Sequence, residues 1–179
     1  DLLLSFALFP LCFVLILFLA ALILILDGEP PFYFQARVGR NGKLFWIYKL
    51  RTYSRNAPEQ PSHELDGRYL LSCGKMFRLF KLDELPQIIN IARGDMSLVG
   101  PRPCLPSQTD LICKREMNAV FSMRPGITGL AQVKGRDFLS NRHKVKFERF
   151  YLEKQSFALH FYILMVSIWV VTRKVNIRH

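Results

Sequence analysis

Residues Leu2 to Leu26 form an almost unbroken apolar run, interrupted only by Ser5, Pro10 and Cys12. Coiled as an α-helix at 1.5 Å per residue, such a run reaches roughly 37 Å, more than the ~30 Å hydrocarbon core of a bilayer. A signal peptide fits poorly, because the run has neither a basic leader nor a clear small-residue cleavage site. Two arrangements are open to it. A plain span would put Asp1 across the membrane from the rest of the chain. A helix broken at Pro10, where one backbone hydrogen bond is lost, would re-enter and leave on one face. In either case the segment lies in the bilayer. The first basic residue is Arg37, so the positive-inside rule puts the basic remainder of the chain on the cytoplasmic side.

A length of 179 residues allows one domain beyond the anchor. The net charge of +11 and the pI near 9.8 point to a polyanionic partner: nucleic acid, anionic lipid or a phosphorylated metabolite. Cys12, Cys73, Cys104 and Cys113 make no CxxC pair, and the histidines show no HxxxH spacing. This argues against a zinc site or a disulfide framework, and for free thiols in a reducing compartment.

After a proline-rich exit at Asp27 to Pro31, two aromatic, β-prone runs flank Asn41-Gly42. Both turn residues tolerate positive φ, so Phe32 to Val38 is predicted to pair with Leu44 to Leu50 in a β-hairpin. Lys49 and Arg51 leave the second strand two residues apart and on one side. They are either solvated strand-end charges or groups facing a site. Ser54 to Gly67 reads as a polar loop, and Gly74 to Phe80 as a short helix.

The stretch KMFRLFKLDELPQIINIARGDMSLVGPRP, Lys75 to Pro103, holds the densest chemistry. Asp83 and Glu84 are adjacent acids, and Pro86 is tolerated in a first helical turn. A helix is therefore expected from about Asp83 to Ala92, stopped near Gly94. Its N-terminus would carry Asp83, where exposed amides favour carboxylates and anions. Arg78 precedes the acids and Arg102 stands between two prolines. An ordinary capped helix with surface arginines has the same local look; a site for a phosphorylated substrate needs the same groups. A further helix is expected within Pro106 to Ser122. Arg124 to Arg136, RPGITGLAQVKGR, has a glycine-rich composition that can bring backbone close to a ligand. The tail from Asn141 reads as helical. Its apolar, aromatic part, Phe157 to Val171, is short for a span and is either an interfacial helix on an anionic leaflet or a core helix.

Taken together, FQARVGRNGK, IYKLRT, LDELPQ, GDMSLVGPRP and RPGITGLAQVKGR, in this order behind an apolar N-terminal segment, resemble the bacterial sugar transferases. The form resembled is the small monotopic phosphoglycosyl transferase. The resemblance runs essentially end to end. It implies an α+β, mostly helical fold with a re-entrant membrane helix at 1–26. Residues 27–179 would be a small cytoplasmic catalytic domain with one β-hairpin and interfacial amphipathic helices. It implies transfer of a sugar-1-phosphate from a nucleotide sugar, usually a UDP-sugar, to polyprenyl phosphate. This would take place on the cytoplasmic face of the bacterial inner membrane, as the first membrane step of glycoconjugate assembly. Asp83 would attack the β-phosphorus and hold a covalent phosphosugar, while Glu84 supports nucleophile or metal, and both would hold Mg2+. Arg78, Arg102 and Arg136 match positions expected to bind phosphate, with Lys49 and Arg51 as further candidates; Pro101 and Pro103 would fix the backbone that presents Arg102. Membrane lipid is an implied partner, nucleic acid is not, and a homo-oligomer is left open. Two features depart from the family. Its Ser-Pro pair in the membrane helix would fall near Phe13-Val14, whereas this chain has Pro10 about one turn earlier. His160 stands where relatives often carry an acid.

The rival class is a non-catalytic, membrane-anchored basic module for anionic lipid or nucleic acid. It gives no reason for an acidic pair beside three arginines, and the basic residues lack the stacked-aromatic spacing of single-strand binders. The identity of the sugar, the nucleotide and the polymer is not encoded in these motifs. For a re-entrant helix, a cysteine placed at position 1 and one placed after Leu26 should both react only with reagent on the cytoplasmic side of sealed vesicles. The parent for this test has its native cysteines replaced. Periplasmic labelling at position 1 alone would make the chain bitopic.

Overall fold

The computed structural model describes residues 2–58, 67–135 and 138–172. The apolar run is a helix, α1, Leu2–Asp27, assigned without interruption through Pro10. It ends at Gly28, whose positive φ of 65° suits the left-handed position after a helix. One stripe of α1, Ile16, Leu19, Ala20 and Ile23, recurs at helical spacing and is buried. It packs on Leu50, Leu71, Phe77 and Ile88. Elsewhere Leu11, Phe13, Val14, Leu17, Phe18, Leu24 and Ile25 are exposed. Two polar latches fasten the exit from α1. Asp27 Oδ1 accepts from the Ser72 amide and hydroxyl at 2.9 and 2.7 Å. Glu29 Oε1 accepts from the Ser54 hydroxyl at 2.9 Å.

Strands β1, Phe32–Val38, and β2, Leu44–Leu50, pair antiparallel with Phe32 opposite Leu50 and Val38 opposite Leu44, the expected pairing. Asn41 and Gly42 do take positive φ, 56° and 72°. The turn nevertheless sits inside a longer connection, Gly39 to Lys43, closed by the Gly39 amide on the Lys43 carbonyl. The hairpin ties three apolar clusters together: Leu50 packs with α1, Ile47 with Ile91 and Met96, and Val38 with Val99, Cys104 and Leu111.

Helix α2, Gly74–Leu79, forms as expected. The acidic segment does not begin as an α-helix. Leu82–Gln87 is a 3-10 helix, and α-helical geometry, α3, covers only Ile88–Ala92. Lys81, with φ 60°, sets the chain off from α2, and Pro86 lacks an N–H and disfavours α geometry at Leu85. The tighter turn results. Beyond the positive-φ Gly94 come β3, Ser97–Val99, and then α4, Thr109–Met117. The strand β4, Gly126–Thr128, pairs parallel with β3, a pairing not expected from sequence. The loops at its two ends cross closely: Gly100 N–H donates to the Thr128 carbonyl and Gly126 N–H to the Pro101 carbonyl, at 2.8 and 2.9 Å. A Cβ at Gly100, Gly126 or Gly129 would run into backbone. Helices α5, Leu130–Lys134, α6, Asn141–Glu153, and α7, Phe157–Thr172, complete the described chain. The buried pair Arg115–Glu148, with Nε to Oε2 at 2.9 Å, joins α4 to α6. On α7, Ile163 is buried in the core while Phe157, Phe161, Met165, Ile168 and Trp169 are exposed.

Asn90, fully buried, connects hairpin and α3. Its Oδ1 accepts from the Tyr48 amide at 3.1 Å, and its Nδ2 donates to the Trp46 carbonyl at 2.7 Å. Asn90→Leu would leave one buried donor and one buried acceptor unsatisfied, a loss of about 2–6 kcal/mol at about 1–3 kcal/mol per group. A lowered thermal unfolding midpoint in detergent is the expected result.

Candidate active site

The acids sit where the 3-10 helix passes under β2. Both are buried, Asp83 to 8 % and Glu84 to 5 % exposure. Ile47 and Leu50 anchor β2 in apolar clusters on either side of Lys49, so its ammonium is carried over the acids. Lys49 Nζ lies 3.0 Å from Glu84 Oε1 and 3.9 Å from Asp83 Oδ2. From the opposite side Arg102 Nη1 reaches the same Glu84 Oε1 at 3.4 Å. Arg102 is presented by the loop after β3, whose Pro101 carbonyl is held by the Gly126 amide and whose Pro103 carbonyl is held by Arg37 Nη1 at 3.2 Å.

The two carboxylates are therefore in different states. Glu84 is engaged by two cations. Among the described residues Asp83 has the longer contact to Lys49, and its buried Oδ1 has no hydrogen-bond partner. Burial pushes the Asp83 carboxyl above the usual range, against the pull of Lys49, and the Glu84 charge adds to the rise. The electrostatic surroundings come from side chains, not from the dipole of a long helix: Lys49, Lys81 and Arg78 all favour its ionised form.

Arg78 lies near the dyad with its guanidinium 5.1 Å from the Tyr53 ring centre. Arg51 is directed elsewhere: its Nε donates to the Pro30 carbonyl at 2.8 Å, its Nη2 to Phe32, and it stacks over Tyr33. Arg136 lies outside the described residues. Sequence reasoning passed over Arg37 and Gln87, which line the same cleft as Lys49, Glu84 and Arg102. Nothing local marks either one; the FQARVG block was the only pointer to Arg37.

The raised Asp83 pKa has a sign that can be tested. The folded state holds this proton more tightly than the unfolded chain. The contribution to stability is present below the unfolded value of about 3.8 and is lost as pH rises through the higher folded value. Asp83→Asn should therefore unfold at a higher temperature than wild type at neutral pH, and the gap should close on acidification towards pH 4. Melts of both proteins across pH 4–8 check this.

A model of the family described as bacterial sugar transferase matches residues 1–174. The chain is 36 % identical over 167 residues to the uncharacterized sugar transferase EpsL of Bacillus subtilis, covering 92 % of this chain and 82 % of EpsL. It is 33 % identical over 187 residues to the undecaprenyl-phosphate galactose phosphotransferase of Salmonella typhimurium, covering 91 % of this chain and 39 % of that protein. It is 41 % identical over 134 residues to the UDP-glucose:undecaprenyl-phosphate glucose-1-phosphate transferase of Caulobacter vibrioides, covering 72 % of this chain and 50 % of that protein. The chain thus spans half or less of these two relatives whose names state a reaction, and most of the length of EpsL. With the family match covering nearly all of its residues, the chain belongs to the bacterial sugar transferases.

Proposed function

We propose that this protein transfers a sugar-1-phosphate from a nucleotide sugar, a UDP-sugar, to polyprenyl phosphate, through a covalent phosphosugar on Asp83. The observation that carries the reading is the asymmetry of the dyad. Glu84 is held by Lys49 and Arg102, while Asp83 keeps a buried oxygen with no partner among the described residues, available to form a bond. The relatives' names, which state transfer to undecaprenyl phosphate, support the reaction class.

In the first step an Asp83 carboxylate oxygen attacks the β-phosphorus of the donor. The bond from that phosphorus to the bridging oxygen breaks, and UMP leaves with the electron pair. In the second step a phosphate oxygen of the polyprenyl acceptor attacks the same phosphorus, Asp83 departs as a carboxylate, and polyprenyl-diphosphate sugar is formed. Splitting the displacement lets one nucleophile serve a soluble donor and a lipid acceptor in turn. Lys49 and Arg102 stabilise negative charge at the diphosphate and hold Glu84 in place. Arg78 offsets the cost of ionising Asp83.

The donor set fits Mg2+. This ion is commonly held by one or two carboxylates together with substrate phosphates, and Asp83 supplies an unengaged oxygen beside Glu84. Among the described residues there is no cluster of three or more acid, histidine or cysteine ligands, so donor phosphates would have to complete its shell. When bound, the ion supplies charge neutralisation at the diphosphate. The exposed apolar surface of α1, the one helix among the described residues long enough to cross a bilayer, supports a location at the inner membrane. With the domain on the cytoplasmic face, donor and acceptor can meet at Asp83.

Incubation with UDP-sugar alone should add one phosphosugar to wild type in an intact-mass spectrum and release UMP. Asp83→Asn should show neither, with turnover down by several orders of magnitude and membrane association unchanged. UMP release that strictly needs the lipid, with no adduct trapped, would instead indicate direct displacement in a ternary complex.

A further inference from the structure

The cleft beside the dyad contains more positive charge than its acids neutralise. Glu84 Oε1 is shared by Lys49 and Arg102. The third cation lining the cleft, Arg37, has no carboxylate within ion-pair distance among the described residues. Its Nη1 donates to the Pro103 carbonyl at 3.2 Å and its Nη2 to Gln35 Oε1 at 2.6 Å, both neutral acceptors. Its Nε–H is buried with no acceptor at all among the described residues. Burial, with the like charge of Arg102 adding to it, pushes this guanidinium down to about 10. A cation held in this way is costly until an anion reaches it.

Resting on the transfer reaction proposed above, we infer that Arg37 acts with Arg102 as a clamp for a second phosphate group, the one that Asp83 does not attack. Three features carry this. The two guanidiniums line one cleft next to the nucleophile. Arg37 has unused donors, and the guanidinium fork matches two phosphate oxygens at once, which an ammonium cannot do. Arg37 also braces the carbonyl of Pro103, next to Arg102, so a phosphate held by both would fix the loop that presents Arg102. The same chemistry could come from the nucleoside-side phosphate of the donor or from the phosphate of the polyprenyl acceptor.

The test uses the full chain in detergent or nanodiscs, with Arg37→Gln and Arg37→Lys beside wild type. KM is measured for UDP-sugar and for polyprenyl phosphate, with inhibition by UMP as a third constant. A rise of about tenfold or more in the donor KM, with UMP inhibition weakened in step, assigns the clamp to the donor. A rise in the acceptor KM alone assigns it to the lipid phosphate, and a rise in both assigns it to each in turn. Arg37→Lys should behave like Arg37→Gln, because the fork and not the charge is needed. If all three constants stay within twofold while kcat and thermal stability fall, Arg37 is only a brace and the inference is overturned. Should both variants fail to fold, phenylglyoxal labelling of Arg37 in wild type decides, read by peptide mass. Protection by UMP or by polyprenyl phosphate supports the clamp, and protection by neither overturns it. A wild type that forms no adduct and releases no UMP removes the proposed function, and this inference with it; changes confined to the Arg37 variants bear on the clamp alone.

Discussion

The site depends on one oxygen atom. Glu84 Oε1 takes Lys49 from the hairpin and Arg102 from the loop after β3, so three segments far apart in sequence converge on a single buried charge. Breaking a buried pair by removing one partner costs about 3–5 kcal/mol, because the other charge is left uncompensated. Arg102, whose side chain is 35 % exposed, carries less of that cost than Lys49 at 15 %. The same oxygen also explains why adjacent acids are not interchangeable. Lys49 stands closer to Glu84 than to Asp83, and burial, with the Glu84 charge adding to it, leaves Asp83 more basic than an ordinary aspartate, with no hydrogen-bond partner for Oδ1 among the described residues. In the proposed reaction the carboxylate engaged by two cations organises the site and its neighbour is the one that reacts.

How much of this was legible depended on whether the signal was local. The hairpin was readable to the residue, because alternating aromatic strands and Asn41-Gly42 both act over short range. The length of its connection was not, because it is closed by one backbone bond, from the Gly39 amide to the Lys43 carbonyl. The α-helix expected from Asp83 rests on Pro86 being tolerated in a first turn; the positive φ of Lys81 and the restriction Pro86 places on Leu85 give the tighter 3-10 turn instead. The β3–β4 pair consists of three-residue strands set by close glycine contacts, too short for any periodicity. Lys49 and Arg51 were indistinguishable by strand alternation. They diverge because Arg51 lies past the end of β2 and turns back to the carbonyls of Pro30 and Phe32. The contact that brings Arg37 to Pro103 spans 66 positions, and no window of sequence contains it.

The described helices present two kinds of apolar surface. Buried stripes on α1 and α7 join the domain cores through Ile23 and Ile163. The remaining faces, with Phe18 and Ile25 on α1 and Phe157, Phe161 and Trp169 on α7, are exposed rather than packed against the described core. In a bilayer, α1 gains little hydrophobic free energy from leaving lipid for the domain, since lipid tails are as apolar as its buried stripe. Close packing and polar contacts must hold it instead. The latches at Asp27 and Glu29 meet that need where α1 leaves its apolar stretch.

Those latches also impose an order of events during synthesis. Asp27 waits for Ser72, made 45 positions later, and Glu29 waits for Ser54, 25 positions later. At about 5–20 residues per second, the first interval alone lasts roughly 2–9 s. Over that time the end of α1 lacks the polar partners that fasten it to the rest of the described chain. Closure of the Asp27 latch therefore comes only after α1, the hairpin and the segment carrying Ser72 have all been made.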